Sequence, residues 1–160
     1  MGCGKTHWGK LLSEKLAIPF FDLDKQIEEQ EEKTINQIFK QEGEEYFRLL
    51  EKDVLHSIIE GHESFVMATG GGTPCFFNTI DYLKDNGTVV WINCSIDCLH
   101  NRLIKEKNNR PLIKDLDDNQ LRFYITKKFS DRKIYYQQAT TKVNEDNLSL
   151  DHLINKIFHT

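Results

Sequence analysis

Met1-Gly2-Cys3-Gly4-Lys5-Thr6 opens the chain and matches the second half of a phosphate-binding loop. The complete motif reads G-x-x-x-x-G-K-[ST], so its last three positions are Gly4, Lys5 and Thr6. Glycines allow successive backbone N–H groups to face one anion, and a helix that begins after the loop adds the positive end of its dipole. The stretch predicts a triphosphate site, with the lysine on the β- and γ-phosphates and the threonine hydroxyl on Mg²⁺. A glycine-rich N-terminus without order is the alternative.

The same motif predicts a strand upstream of the loop. In the full pattern the first glycine would fall two residues before Met1. We therefore expect about ten further residues, apolar and ending in glycine, to precede Met1 in the working protein. In P-loop folds this strand lies in the middle of the sheet, so its loss would leave neighbouring strands unpaired.

The composition fits one globular domain over residues 1–160. The chain has 39% hydrophobic and 29% charged residues, which is ordinary for a folded domain of this length. A net charge of −4 argues against nucleic acid as a partner, and no apolar run is long enough to cross a membrane. We expect a cytoplasmic monomer that acts on small molecules.

The four cysteines are Cys3, Cys75, Cys94 and Cys98. No two of them form a C-x-x-C pair, and no histidine spacing completes a zinc site. We expect all four to be reduced thiols, as is usual in the cytosol. Cys3 lies in the predicted phosphate loop, where a small residue fits and where its thiol could be sensitive to oxidation.

Segments of strand type and helix type alternate along the chain. Four segments predict strands: 20–24, 64–69, 88–93 and 142–144. Helical spacing, capping residues and helix-ending residues predict helices over 6–16, 34–39, 43–61, 74–87, 95–103, 121–136 and 150–158. This alternation predicts a three-layer α/β fold with a central parallel sheet. Residues 105–119 are polar and predict a mobile loop.

The chemically suggestive residues follow predicted strands. Asp22 and Asp24 come at the end of one strand, and Gly70-Gly71-Gly72 follows the next. Because parallel sheets place ligands at the carboxyl ends of their strands, these residues are expected near the phosphate loop. One carboxylate could hold Mg²⁺ and the other face an alcohol, or the pair could be a helix cap and a surface acid. The glycines could line a polyhydroxylated ligand or form only a tight turn.

Six motifs, in order along almost the whole chain, resemble shikimate kinase, a small P-loop kinase of the nucleoside-monophosphate-kinase type. They are Gly2-x-Gly4-Lys5-Thr6, Asp22-x-Asp24, Gly43-Glu44-x-x-Phe47-Arg48-x-x-Glu51, Gly70-Gly71-Gly72, Arg110-Pro111-Leu112 and Arg132-x-x-x-Tyr136. The loop alone would fit many kinases, whereas the combination is specific to this family.

The resemblance implies transfer of the γ-phosphate of ATP to the 3-hydroxyl of shikimate, on the pathway to chorismate and the aromatic amino acids. It implies an ATP site made of Gly2, Cys3, Gly4, Lys5, Thr6, His7 and Arg110, and a Mg²⁺ site made of Thr6 and Asp22. It implies a substrate-binding region at about residues 24–61. The shikimate site that it implies is made of Asp24, Arg48, Gly70, Gly71, Gly72 and Arg132, with apolar walls at Phe39 and Phe47. Catalytic roles fall to Asp24 as base or orienting group, to Lys5, and to Arg110 on a lid over residues 105–119.

Some features depart from the family pattern. The first loop glycine and its strand are absent, Trp8 is bulky for its place, and Lys133-Ile134 stands where the family often has a proline before Tyr136. Three alternatives remain: another P-loop kinase such as a gluconate kinase, a catalytically impaired nucleotide-binding module, and a purely structural domain. Two pocket arginines and the triple glycine favour a carboxylated ring polyol over gluconate.

Overall fold

The computed structural model describes residues 2–110 and 112–159. Met1 of the phosphate loop and Pro111 of the Arg110-Pro111-Leu112 motif lie outside the described residues, as does Thr160. The strands are β1 Phe20–Asp22, β2 Val66–Ala68, β3 Val90–Asn93 and β4 Thr141–Asn144. The helices are α1 Lys5–Leu16, α2 Leu23–Glu31, α3 Ile35–Gly61, α4 Thr79–Asn86, α5 Ile96–Glu106, α6 Asp118–Tyr136 and α7 Leu150–Phe158. Short 3₁₀ helices cover Thr73–Cys75, Lys107–Asn109 and Glu145–Asn147.

The chain forms two compact units, and the first of them comprises Gly4–Gly87. In it β1 pairs with β2 in parallel, with Phe20 opposite Val66 and Asp22 opposite Ala68. Its core is a cluster of buried apolar side chains from α2 and α3: Leu23, Ile27, Ile38, Phe47, Val54, Leu55 and Ile58. These residues recur at helical spacing, which fixes the face that each helix turns toward the core.

Helix α3 carries one residue with non-helical geometry. Its start is fixed by a capping box, in which the Thr34 hydroxyl accepts from the Gln37 N–H and the Gln37 side chain accepts from the Thr34 N–H. Gly43 interrupts the helix with φ 86° and ψ 173°, a conformation that a side chain would strain. The helices predicted over 34–39 and 43–61 therefore meet at a kink at Gly43.

The second unit comprises residues 2–3 and 88–159 of the described chain. Here β3 pairs with β4 in parallel, with Val90 opposite Thr141 and Asn93 opposite Asn144. Its buried core consists of Cys94, Leu99, Leu103, Ile113, Leu121 and Ile125. The prediction of α/β structure with parallel strands is confirmed, and the hydrogen-bonded pairs form two two-stranded sheets.

Local capping moves several predicted boundaries. Asp117 and Gln120 form a capping box that begins α6 at Asp118, three residues before the predicted start. Because α5 also continues to Glu106, helices enter the predicted loop 105–119 from both sides. Asp22 caps α2, so β1 ends two residues earlier than predicted. Within residues 2–110 and 112–159, no helix combines the length and apolar character that a membrane span requires.

Candidate active site

The end of the phosphate loop begins a helix as predicted. Gly4 is the N-terminal cap of α1 and adopts the left-handed conformation, with φ 82°. Its carbonyl accepts the first helical hydrogen bond from the Trp8 N–H at 3.0 Å. A residue with a Cβ would be strained there, so glycine is needed for the loop to turn directly into the helix. Lys5 and Thr6 consequently occupy the first turn, where the backbone N–H groups and the helix dipole favour an anion.

Thr6 and Asp22 bring two oxygen donors together. The Thr6 hydroxyl donates to Asp22 Oδ2 at 3.0 Å, while Asp22 Oδ1 lies 3.5 Å from the Lys25 N–H at the start of α2. Asp22 is thus both the helix cap named as the alternative and a carboxylate beside the predicted metal-binding hydroxyl. A hydroxyl and a carboxylate oxygen are donors that Mg²⁺ prefers. The residues present fit the ion that the sequence predicts.

Asp24 is a half-buried carboxyl with a perturbed pKa. It lies in the first turn of α2, after the strand. Its pKa is raised from 3.8 to about 6, mainly by burial and also by the negative charges of Asp22 and Glu51, with the Lys5 ammonium acting in the opposite direction. Asp24 is therefore not the surface acid of the alternative interpretation. A carboxylate with a pKa near neutrality is a better proton acceptor than an ordinary aspartate.

Arg48 is buried in an aromatic setting. Only 8% of it is exposed, and its guanidinium carbon lies 4.3 Å from the ring centre of Phe76, 5.1 Å from Phe47 and 6.0 Å from Phe39. Its Nη1 donates to Glu51 at 2.9 Å, whereas its Nε is buried without a hydrogen-bond partner among the described residues. A buried donor left unpaired is costly, so this edge of the guanidinium is suited to an anionic ligand.

The glycine run packs closely against these side chains. A Cβ built on Gly72 would lie 2.6 Å from Arg48 Nη2, and one on Gly70 would lie 3.3 Å from Glu51 Oε1 and 3.4 Å from Asp24 Oδ1. The run is also a turn, since the Thr73 N–H donates to the Gly70 carbonyl at 3.2 Å. The missing Cβ atoms allow the backbone to approach a carboxylate and a guanidinium at once.

Glu51 positions Arg48, a role that the sequence did not predict. It is 3% exposed and accepts hydrogen bonds from Arg48 at 2.9 Å and from the Thr73 hydroxyl at 2.7 Å. It therefore fixes Arg48 and ties α3 to the segment after Gly72. The spacing of Arg48 and Glu51, three residues apart on a helix, was a signal for this pair. Phe76 had no comparable signal, because its contact with Arg48 arises only from the tertiary fold.

Three other predicted site residues are His7 in the first unit and Arg110 and Arg132 in the second. His7 is exposed on α1 and contacts the Trp8 ring, with 5.3 Å between centres. Arg110 donates from Nε and Nη2 to Glu106 at 2.9 and 2.6 Å. Arg132 lies on α6. Arg110 and Arg132 belong to the second unit, and their predicted roles stay predictions.

We expect Gly72→Ala to disturb Arg48 and to weaken binding of the anionic substrate by roughly tenfold. The new Cβ would lie 2.6 Å from Nη2, so the guanidinium must shift relative to its partners, Glu44 on Nη2 and Glu51 on Nη1. Calorimetric titration with shikimate, the substrate that the sequence resemblance implies, measures the effect. Gly61→Ala is the matched control, because a Cβ at Gly61 meets no atom within 4 Å. Equal affinity in the two variants would show that close approach at Gly72 is unimportant. The tenfold figure corresponds to about 1.4 kcal/mol.

The phosphate loop that begins α1, the carboxylates at the end of β1 and the buried arginine define a P-loop phosphotransferase. The shikimate kinase family profile matches residues 1–160. A shikimate kinase of Flavobacterium johnsoniae is 40% identical over 158 residues, which are 98% of this chain and 92% of that protein. One of Azobacteroides pseudotrichonymphae is 38% identical over 157 residues, again 98% and 92%. The chain belongs to the shikimate kinase family.

Solved structures agree with this assignment. The crystal structure of the Bacteroides thetaiotaomicron shikimate kinase superposes with a TM-score of 0.93 at 35% identity, covering 100% of this chain and 94% of that one. The Acinetobacter baumannii shikimate kinase, solved in complex with shikimate, gives a TM-score of 0.81 at 31% identity, covering 99% and 87%. The predicted P-loop kinase fold and the family resemblance are both confirmed.

Proposed function

We propose that this protein transfers the γ-phosphoryl group of ATP to the 3-hydroxyl of shikimate, in the pathway to chorismate and the aromatic amino acids. The observation that carries the proposal is the pairing of a carboxylate and a buried guanidinium beside one glycine turn, Asp24 at Gly70 and Arg48 at Gly72. A ring acid that carries a reactive hydroxyl needs both groups, the guanidinium for its carboxylate and the aspartate for the hydroxyl. Relatives named shikimate kinase, one of them in complex with shikimate, support the choice of substrate.

The phosphate end of the site would bind ATP. Lys5 and the backbone N–H groups at the start of α1 would neutralise and orient the phosphates. Thr6 and Asp22 would hold Mg²⁺, which supplies positive charge to the phosphates when bound. Phosphoryl transfer depends mainly on such positioning and charge neutralisation, because the protein forms no covalent intermediate in it.

Asp24 would act on the acceptor hydroxyl. The hydroxyl oxygen forms a bond to the γ-phosphorus while the bond from that phosphorus to the β-phosphate oxygen breaks, which releases ADP. The hydroxyl proton passes to the Asp24 carboxylate. The pKa of Asp24, raised to about 6 mainly by burial, still lies below neutral pH, so the group is ionised there and is more basic than an ordinary aspartate.

Arg48 would hold the carboxylate of shikimate. Its Nε is available to the substrate carboxylate, while Glu51 on Nη1, Glu44 on Nη2 at 3.3 Å and the surrounding rings limit the rotation of the guanidinium. Such fixation lowers the entropy lost when substrate binds. The roles that the resemblance gives to Arg132 at the same carboxylate and to Arg110 at the transferring phosphate stay predictions, as do the monomeric state and the cytoplasmic location.

A coupled ADP-release assay tests the proposal. We expect ATP- and Mg²⁺-dependent ADP release with shikimate and little release with gluconate, because gluconate has no ring to place its hydroxyl against Asp24 while Arg48 holds its carboxylate. Faster release with gluconate would favour the gluconate-kinase alternative. Absence of release with either acceptor, in a chain that calorimetry shows to bind ATP, would favour an impaired nucleotide-binding module.

We expect Asp22→Asn to raise the Mg²⁺ concentration needed for half-maximal activity by roughly tenfold. The amide keeps an acceptor for the Lys25 N–H or for the Thr6 hydroxyl, so α2 should stay capped while the charge near the ion is lost. A Mg²⁺ titration of activity at saturating ATP measures the shift. Asp53→Asn, which changes an exposed aspartate on α3, is the control. An unchanged Mg²⁺ requirement in Asp22→Asn would remove Asp22 from the metal site.

A further inference from the structure

Two cysteines and a glutamate converge in the second unit, outside the residues assigned to ATP and shikimate. Cys94 follows β3, Cys98 lies in the first turn of α5, and Glu145 follows β4. Their potential ligand atoms, the two sulfurs and a carboxylate oxygen, all lie within 4.8 Å of one another. We propose that these three residues form a binding site for a thiophilic divalent cation such as Zn²⁺, separate from the Mg²⁺ site of the phosphoryl-transfer reaction.

The sheet register explains why these residues meet. Asn93 and Asn144 are opposite each other at the end of the β3–β4 pair, so Cys94 and Glu145 are the next residue on each strand. Ser95 caps α5 by accepting from the Cys98 N–H at 3.1 Å, which turns Cys98 back toward the same strand ends. Sequence spacing does not reveal this group, because its third member lies 47 residues beyond Cys98 along the chain.

The distances suit a tetrahedral cation. Zinc bonds sulfur at about 2.3 Å and carboxylate oxygen at about 2.0–2.2 Å, so a tetrahedral angle places the two donor atoms about 3.6 Å apart. Cys98 Sγ lies 3.8 Å from Glu145 Oε2. The Cys98 thiol donates a hydrogen bond across this distance, and the spacing is also close to the separation of two donor atoms across a zinc ion. Two thiolates with one carboxylate fill three positions and leave the fourth for water.

The two carboxylate oxygens of Glu145 have different partners. Its Oε1 forms an ion pair with Arg102 Nη2, and its Oε2 faces Cys98. The carboxylate can therefore bind a cation through Oε2 while Arg102 fixes its orientation, as outer partners of metal ligands commonly do. Arg102 also donates to the Gly2 carbonyl at 3.2 Å, which adds a second anchor for its side chain.

Coordination would replace protons on two thiols. Without a cation, Cys94 donates to the Cys3 carbonyl at 3.8 Å, and its interaction with the Cys3 side chain together with burial raises its pKa. Burial raises the pKa of Cys98 as well. Binding of one cation forms two metal–sulfur bonds and one metal–oxygen bond and releases two protons to solvent.

Titration of the full chain with Co²⁺, a spectroscopic substitute for Zn²⁺, tests the site. We expect a near-ultraviolet thiolate-to-cobalt absorption that Zn²⁺ removes by competition and that excess Mg²⁺ leaves in place. Cys98→Ser should remove about half of the thiolate absorption and weaken affinity at least about tenfold. Glu145→Gln should keep the absorption per bound ion but weaken affinity by a similar factor.

Two further variants complete the test. Cys75→Ser is the matched control, because Cys75 is not one of the three proposed ligands, and it should leave Co²⁺ binding unchanged. Cys94 is buried in the core, so Cys94→Ser is informative only if circular dichroism shows it folded, and Cys98→Ser with Glu145→Gln carry the result. The proposal is overturned if the unaltered chain gives no thiolate absorption, if Mg²⁺ removes it, or if Cys98→Ser and Glu145→Gln bind Co²⁺ as the unaltered chain does. None of these readouts depends on kinase activity.

Discussion

Asp24→Asn is expected to lower turnover by roughly 10²- to 10⁴-fold while leaving ATP affinity within about twofold. The amide has nearly the same shape as the carboxyl but cannot accept the hydroxyl proton. ATP binding should persist because the Lys5–Asp22 region stays intact, with the Thr6–Asp22 hydrogen bond at 3.0 Å unaffected by the change. Single-turnover kinetics and calorimetry with an ATP analogue separate the two effects.

The same substitution should stabilise the folded protein at neutral pH. Burial and neighbouring negative charges raise the Asp24 pKa from 3.8 to about 6, so between these values the folded state binds a proton that the unfolded state releases. The contribution of Asp24 to the stability of the unaltered protein is therefore fully present at low pH and is lost as the pH rises through about 6. The neutral amide avoids this loss. Urea unfolding should show the Asp24→Asn variant gaining about 1–3 kcal/mol over the unaltered protein between about pH 4 and about pH 8.

A substitution that lowers activity but raises stability distinguishes a functional group from a structural one. Asp53→Asn, on the exposed face of α3, should change neither quantity. If Asp24→Asn lost activity and also lost stability at about pH 8, Asp24 would be a structural residue and not the proton acceptor. If turnover stayed comparable with the unaltered enzyme, another group would have to act on the hydroxyl.

Local sequence signals predicted the elements well where one residue type has a strong backbone preference. Gly4 begins α1 through its left-handed cap, and Thr34 begins α3 through its capping box, both at the predicted places. Asp117 and Gln120 form the same kind of box, but they lie in a polar segment that resembles a loop. Helix α6 therefore begins three residues before its predicted start. Asp22 was ambiguous because one carboxylate can cap a helix and also face a metal.

The composition of the site depends on contacts that sequence spacing does not contain. Asp24 was predicted to function, yet its raised pKa depends mainly on burial, with Glu51 contributing from a different helix. Phe76 lies under the Arg48 guanidinium only because the Gly70–Gly72 turn places it there. Such contacts join residues about 20 to 30 positions apart, and only the tertiary fold determines which of the many possible pairs form.

Arg48→Lys is expected to weaken shikimate binding by roughly 10- to 100-fold, with ATP affinity nearly unchanged. Arg48 presents a planar fork, with Glu51 on Nη1 and an unpaired Nε available to a ligand. An ammonium keeps the charge but cannot bind Glu51 and a ligand carboxylate in one plane. The protein should also lose stability, because Glu51 is 3% exposed and would keep only part of its hydrogen bonding.

The methyl ester of shikimate separates the carboxylate contact from general damage to the site. If Arg48 grips the carboxylate, the unaltered protein should bind the ester much more weakly than the acid, and Arg48→Lys should reduce that difference by about 1–2 kcal/mol. Arg122→Lys is the matched control, since Arg122 makes an exposed ion pair with Asp97 at 2.7 Å. Should Arg48→Lys weaken the acid and the ester equally, Arg48 would shape the site without contacting the carboxylate, and the neighbouring turn would have to supply that contact.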